Sequence, residues 1–174
     1  MKHLLVFCLT LLLAACGGAA SQNAGTPIPT VDVGGISVSS FKGTVSGAVS
    51  GDFSGTGSTF KQEEGGLLIS LVGTQGPSGA SITIILPAGT VAGTYTPKSY
   101  ADAYDSTANK IIGIGASFSV LNKASGTDAY AIISDGTLTL QSVDPMTGSI
   151  HFKAALDGGG TVEVQATFYQ LTPV

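Results

Sequence analysis

The chain has 174 residues and contains neither arginine nor tryptophan. Without a guanidinium group it lacks the planar, bidentate clamp that recognises phosphate and carboxylate. Without tryptophan it lacks the best ring for stacking on sugars, although five tyrosines remain. Charge of either sign is scarce: charged residues make up 10% of the chain, against about a quarter in ordinary domains. Seven lysines face eleven acids, for a formal net charge of −4. Nucleic-acid binding needs clustered cations to displace counterions, so nucleic acid is excluded as a partner. The same balance argues against anionic headgroups as the main membrane attachment. Two cysteines and two histidines leave little for a zinc site. Walker and dinucleotide-type loops are absent despite 25 glycines, and no Gly-x-Ser-x-Gly elbow presents a nucleophile.

Hydroxyls supply most of the polarity, with 19 serines and 19 threonines. The N-terminus is different. Lys2 and His3 precede an apolar run from Leu4 to Leu13, followed by Ala14-Ala15-Cys16-Gly17-Gly18. The run is half the roughly 20 residues that a membrane-spanning helix needs. It matches the core of a cleavable secretory signal. Leu13-Ala14-Ala15-Cys16 resembles the lipobox of bacterial lipoproteins. The resemblance implies a signal peptide over 1–15, cleavage before Cys16, a diacylglycerol thioether on its sulfur, and a further acyl chain such as palmitate on the new amine. Two chains or more give stable anchoring where one gives only marginal binding. The bilayer is then a partner through the acyl chains. The expected location is the cell envelope, lipid-anchored and extracytoplasmic, at the outer membrane or cell surface if the organism has an outer membrane. Cys8 leaves with the signal, so the mature chain has one cysteine and no internal disulfide.

Residues 16–35 read as the lipidated cysteine and a disordered tether, rich in Gly and Pro and carrying one charge, Asp32. Residues 36–174 read as a single β domain. Its apolar residues alternate with period two, the pattern of half-buried strands. Lys110–Leu121 sets Ile112, Ile114, Ala116, Phe118 and Val120 on one face. Leu67–Val72 and Ala80–Leu86 read as short core strands. Thr137–Val143, Ser149–Leu156 and Thr161–Tyr169 form a meander, with turns at 144–148 and 157–160. Asp135-Gly136 reads as a hairpin turn or as part of one longer strand. Thr44–Ser58 reads as one glycine-interrupted strand with Val45, Val49 and Phe53 on one side. Met146 falls in a turn, and one helical turn or two fits Ser99–Asp105. The expected fold is all-β: an antiparallel β-sandwich of about eight or nine strands, or alternatively a closed up-and-down β-barrel. A barrel could also enclose an apolar ligand.

The densest group of candidate functional residues is Tyr95, Tyr100, Asp102, Tyr104 and Asp105. Tyrosine rings can stack on sugars while carboxylates accept hydroxyl protons, so a glycan or peptide is one candidate ligand. Asp105, Thr107 and Asn109 have the spacing of part of a calcium loop, but the mid-loop glycine and terminal acid are missing. No other cofactor is expected. A carboxylate-dependent hydrolase is the competing class, yet nothing in the sequence sets Asp102 and Asp105 across a cleft. His151 lies on a predicted strand face among Lys153 and threonines. The sequence therefore points to a lipoprotein with a non-enzymatic structural, display or binding role toward an envelope protein or glycan. Replacing Cys16 by Ala should release the protein from membranes or leave an unprocessed precursor. Unchanged membrane fractionation of that variant would count against lipidation.

Overall fold

A computed structural model describes residues 39–62, 65–75, 78–122, 127–171 and 173–174. The predicted signal peptide, Cys16, the predicted tether and, within Glu63-Glu64-Gly65-Gly66, the two glutamates lie outside the described residues. The strands are β1 (Ser40–Gly47), β2 (Gly51–Lys61), β3 (Leu67–Gln75), β4 (Ser78–Leu86), β5 (Gly93–Tyr95) and β6 (Lys98–Ser99). A four-residue helix α1 (Tyr100–Ala103) follows, then β7 (Tyr104–Asp105) and β8 (Lys110–Ile111). The chain finishes with β9 (Gly115–Asn122), β10 (Thr127–Val143), β11 (Met146–Leu156) and β12 (Thr161–Leu171). The fold is all-β, as expected.

The antiparallel ladders run β1–β2–β3–β4–β9–β10–β11–β12, and β12 pairs back onto β1. The eight strands therefore form one curled sheet whose pairing follows a ring. Of the two expected arrangements, the pairing is that of the closed up-and-down barrel; the facing sheets of a sandwich are here joined edge to edge. Alternation was the signal for both, and it does not tell them apart.

The interior is apolar. On β11 every second residue from Met146 to Leu156 is buried, and His151 and Lys153 between them are exposed. On β12, Val162, Val164, Ala166 and Phe168 point inward, while Glu163 and Gln165 point outward. A membrane-spanning barrel has the reverse order, an apolar band outside and polar groups inside. Outside, hydroxyls take the place of charge. One cross-strand row reads Thr94, Thr139, Ser149, Thr167, Lys42, Ser54 and Thr74 over seven strands.

An eight-stranded barrel is just wide enough for its own side chains to fill. Phe41, Phe53, Phe118, Phe152 and Phe168 supply the bulk, each no more than 2% exposed. Four of the rings form a chain across the lumen: Phe41 to Phe53 at 5.6 Å, Phe53 to Phe118 at 6.2 Å, and Phe118 to Phe152 at 6.3 Å. Each ring has a small residue directly paired beside it. Phe41 pairs with Gly55, Phe53 with Gly43, Phe118 with Ala131, Phe152 with Gly136 and Phe168 with Gly148. A methyl group on Gly43 would lie 2.5 Å from Cζ of Phe53 and 2.8 Å from the carbonyl oxygen of Gln165. Gly43, Gly136 and Gly148 give their paired rings space, and Gly73 does the same for Phe41.

Several local expectations change. Thr44–Ser58 is a hairpin rather than one strand. Gly47, at φ 108°, opens the turn, a backbone shape that favours glycine. Asp135-Gly136 lies inside the 17-residue β10, where the register shifts between Ile133 and Asp135. This is a bulge, not a turn. The turn predicted at 144–148 shrinks to Asp144-Pro145, joined by a cis bond. Met146 is consequently the first residue of β11 and is 1% exposed in the core. The strand predicted from Lys110 starts at Gly115, and Ile112 is 60% exposed.

One seam of the ring is forked. The first part of β10, Thr127–Ala131, pairs with β9, and its later Leu138–Leu140 pairs with β5. The start of β9 takes β6 as a parallel neighbour instead. The long connection from β4 to β9 is thus built into the wall. We expect Phe118→Ala to cost about 3–5 kcal/mol and Gly43→Ala about 1–3 kcal/mol through overpacking. Urea unfolding of the mature chain measures both, and a near-neutral Gly43→Ala would contradict the large-beside-small packing.

Candidate functional site

The predicted cluster lies in the connection between β4 and β9, and its residues arrive by different routes. Tyr95 closes β5 and sits beside Leu138. Its hydroxyl donates to the carbonyl of Val91 at 2.7 Å, and its ring packs against the core. Tyr100 and Tyr104 bracket α1, and their ring centroids are 5.8 Å apart. Tyr95 is on a separate strand, so the ring contact within the predicted trio is the one between Tyr100 and Tyr104.

The two carboxylates bond within the loop, Asp102 to a side-chain hydroxyl and Asp105 to backbone amides. Ser99 caps α1: its Oγ accepts from the amide of Asp102 at 3.2 Å and donates to Asp102 Oδ2 at 2.6 Å. This reciprocal pattern differs from a capping box in that the Asp102 carboxylate meets the Ser99 hydroxyl and not the Ser99 backbone amide. The Ser-x-x-Asp spacing at 99–102 is visible in the sequence and is the signal for this role. Asp105 Oδ1 accepts from the amides of Thr107 at 2.9 Å and Ala108 at 3.0 Å, a turn stabilised by its own first residue. Asp102 and Asp105 each therefore commit an oxygen to holding the loop.

The short helix is held against the outer wall. Ala103 is fully buried. A methyl group on Gly115 would fall 2.4 Å from the Ala103 Cβ and 3.2 Å from Ile85. The small residue at 115 lets α1 sit directly on β4 and β9, and it covers Ile85, an outward residue 1% exposed.

A pocket of about 200 Å³ opens beside this helix, lined by Gln62, Tyr104, Asn109 and Ile111. The Tyr104 hydroxyl donates to Asn109 Oδ1 across it. Asn109 has φ 52°, the left-handed shape that asparagine tolerates better than most residues. The lining is uncharged: two amides, a phenol and an aliphatic side chain. Nothing in the sequence marks Gln62 or Ile111 as members of this group. They are brought in by the β2–β3 turn and by the β7–β8 pair.

For the calcium-loop residues, Asp105 Oδ1 is engaged by backbone amides and Asn109 Oδ1 by Tyr104. Among the described residues no group of three or more His, Cys, Asp or Glu comes together to hold a metal ion. His151 stands on the outer face of β11, about half exposed, with Nε2 2.7 Å from Glu163 Oε1. No helix among the described residues is long and apolar enough to cross a membrane.

Comparison with protein-family models, curated proteins and solved structures gives no match.

The Ser99–Asp102 pair makes a testable unit. Ser99→Ala and Asp102→Ala should each destabilise the protein by about 0.5–2 kcal/mol, the usual range for a lost cap. The double variant should lose less than the sum, since both changes break one reciprocal pair. Strict additivity in chemical denaturation would show that the two side chains act separately.

Proposed function

We propose that this protein is a cell-envelope lipoprotein, anchored by acyl chains on Cys16, whose β domain has a non-enzymatic structural, display or binding role. The observation that carries the reading is the sequence Leu13-Ala14-Ala15-Cys16 at the end of a ten-residue apolar run. Two features of the domain support it. The wall is coated with hydroxyls and carries little charge, which suits an exposed extracytoplasmic module. The lumen holds five phenylalanine rings, which leaves little room for the enclosed apolar ligand considered above. The two loop aspartates are engaged within their own loop, Asp102 by the Ser99 hydroxyl and Asp105 by backbone amides, which favours a binding or display role over a carboxylate-dependent hydrolase.

A second reading is binding of a neutral glycan or peptide at the loop of α1. The pocket beside Tyr104 favours it, with phenol and amide groups that suit hydroxyl-rich ligands. A weak calcium role for Asp105, Thr107 and Asn109 belongs to the same test.

The experiment is a thermal-shift screen of the mature chain, in detergent, against Ca²⁺ and a panel of envelope glycans. A ligand at 100 times its dissociation constant should stabilise the fold by about 2.7 kcal/mol. A shift that disappears in Tyr104→Ala would establish the loop as a binding site. A shift that survives the substitution would place binding elsewhere, and no shift with any compound would favour the display role.

A further inference from the structure

The direction of the strands sorts the molecule into two ends. In an antiparallel ring the starts of β1, β3, β9 and β11 lie at one end with the finishes of β2, β4, β10 and β12. The chain enters at Ser40 on this end, and the long connection 87–114 leaves from it. Pro173 and Val174 lie there too: Pro173 bridges Thr59 near the finish of β2, and the Val174 amide donates to the Thr59 carbonyl. The opposite end carries the tight turns at 48–50 and 157–160.

Large exposed apolar side chains follow the same division. Four stand out among the described residues: Val72, Val91, Ile112 and Val174. Val72 is on the wall. Val91 is 63% exposed, Ile112 60% and Val174 83%, and all three belong to the end where the chain enters. The Tyr100–Tyr104 ring pair is at that end as well. Tyrosine, with an apolar ring and a polar tip, suits the layer between acyl chains and water. By contrast, the described turns at the far end present Ala48, Ser50, Asp157 and glycines, with Val49 partly buried against the core.

We propose that the end of the barrel where the chain enters rests on the lipid surface, with Val91, Ile112 and Val174 reaching the boundary between headgroups and acyl chains. The proposal rests on the anchor reading. Residues 17–38 separate Cys16 from the first described residue, Ser39. A chain of that length reaches at most about 75 Å. It holds the barrel close to the bilayer, so the second contact is intramolecular, at an effective concentration that can reach about millimolar. A patch too small to recruit a free protein is sufficient under those conditions. The contact is apolar rather than ionic. Lys61, Lys98 and Lys110 at this end are matched by Asp102, Asp105 and Asp144, so no net positive face meets the headgroups.

The absence of tryptophan makes the test direct. The mature chain, residues 16–174, has Cys16 as its single thiol. It can be coupled to a maleimide lipid in phosphatidylcholine vesicles whether or not cells acylate it. Val91→Trp, Ile112→Trp and Gly158→Trp each introduce one reporter. Gly158 is at the far end, where an added Cβ meets nothing within 4 Å. Brominated lipids should quench the tryptophans at 91 and 112 several-fold more than the one at 158. Equal quenching at the three positions, or stronger quenching at 158, would overturn the proposal. Should a variant fail to fold, hydrogen exchange of the unsubstituted chain decides: exchange at 88–92 and 111–113 should slow on coupling to vesicles, and unchanged exchange would overturn it. Acylation is read separately, from the mass of the N-terminal peptide isolated from cells. Its absence removes the natural anchor, while the coupled chain still decides whether this end docks.

Discussion

Placing a large ring beside a small neighbour is the constraint on which the rest of this structure depends. Eight strands enclose a lumen of fixed width, and five phenylalanines fill it. A ring turns inward where a small residue on a neighbouring strand leaves room. Gly43, Gly136 and Gly148 do so for Phe53, Phe152 and Phe168, Gly73 does so for Phe41, and Ala131 is paired beside Phe118. Glycine inside a strand is normally weakening, because it loses backbone entropy and packs nothing. Here the adjacent ring covers the bare backbone and recovers part of that loss. Register is fixed as a result, since a slip of one residue would turn every ring to solvent and every hydroxyl to the core. No disulfide is described among these residues, and the packing of the rings does the work a crosslink would do elsewhere.

The fork between β9 and β10 follows from the length of β10. Seventeen residues are too many for one partner, and the bulge near Ile133 turns the strand so that its later part meets β5. The gap admits the connection 87–114 into the wall. The capped helix, the two tyrosines and the small pocket are therefore placed by the barrel itself and do not hang from a loop. Rigid support of this kind suits recognition, because little order has to be gained on contact.

Much of the fold was legible in the sequence, and the reasons for the rest are specific. β11 and β12 could be read directly because Ile150, Phe152, Val162, Val164 and Phe168 alternate with polar residues without a break. The hairpin at 48–50 was hidden because Gly47, Val49 and Gly51 continue the two-residue period straight through the turn. Ile112 and Ile114 extended the apparent strand before β9, although the chain there bends to pack Ile111 over Gly66. Ring closure was not legible, since inward-outward alternation is common to sandwiches and barrels. Of the candidate site, the Tyr100–Tyr104 pair and the loop could be seen. Gln62 and Ile111 could not, because only tertiary folding brings them beside Tyr104.

At another place in the ring of ladders a strand outruns its neighbour. β1 begins opposite the middle of β2, so the later residues of β2 lack a partner on that side. Pro173 and Val174 lie along this gap, and the Val174 amide takes the Thr59 carbonyl. Proline there presents no N–H to a stranger. An open edge invites another chain to add a strand. Under the anchor reading proposed above, the protein would meet its own copies confined to two dimensions, where such additions nucleate readily. By filling the gap from within, the chain denies a seed for fibrous self-assembly along this stretch of β2.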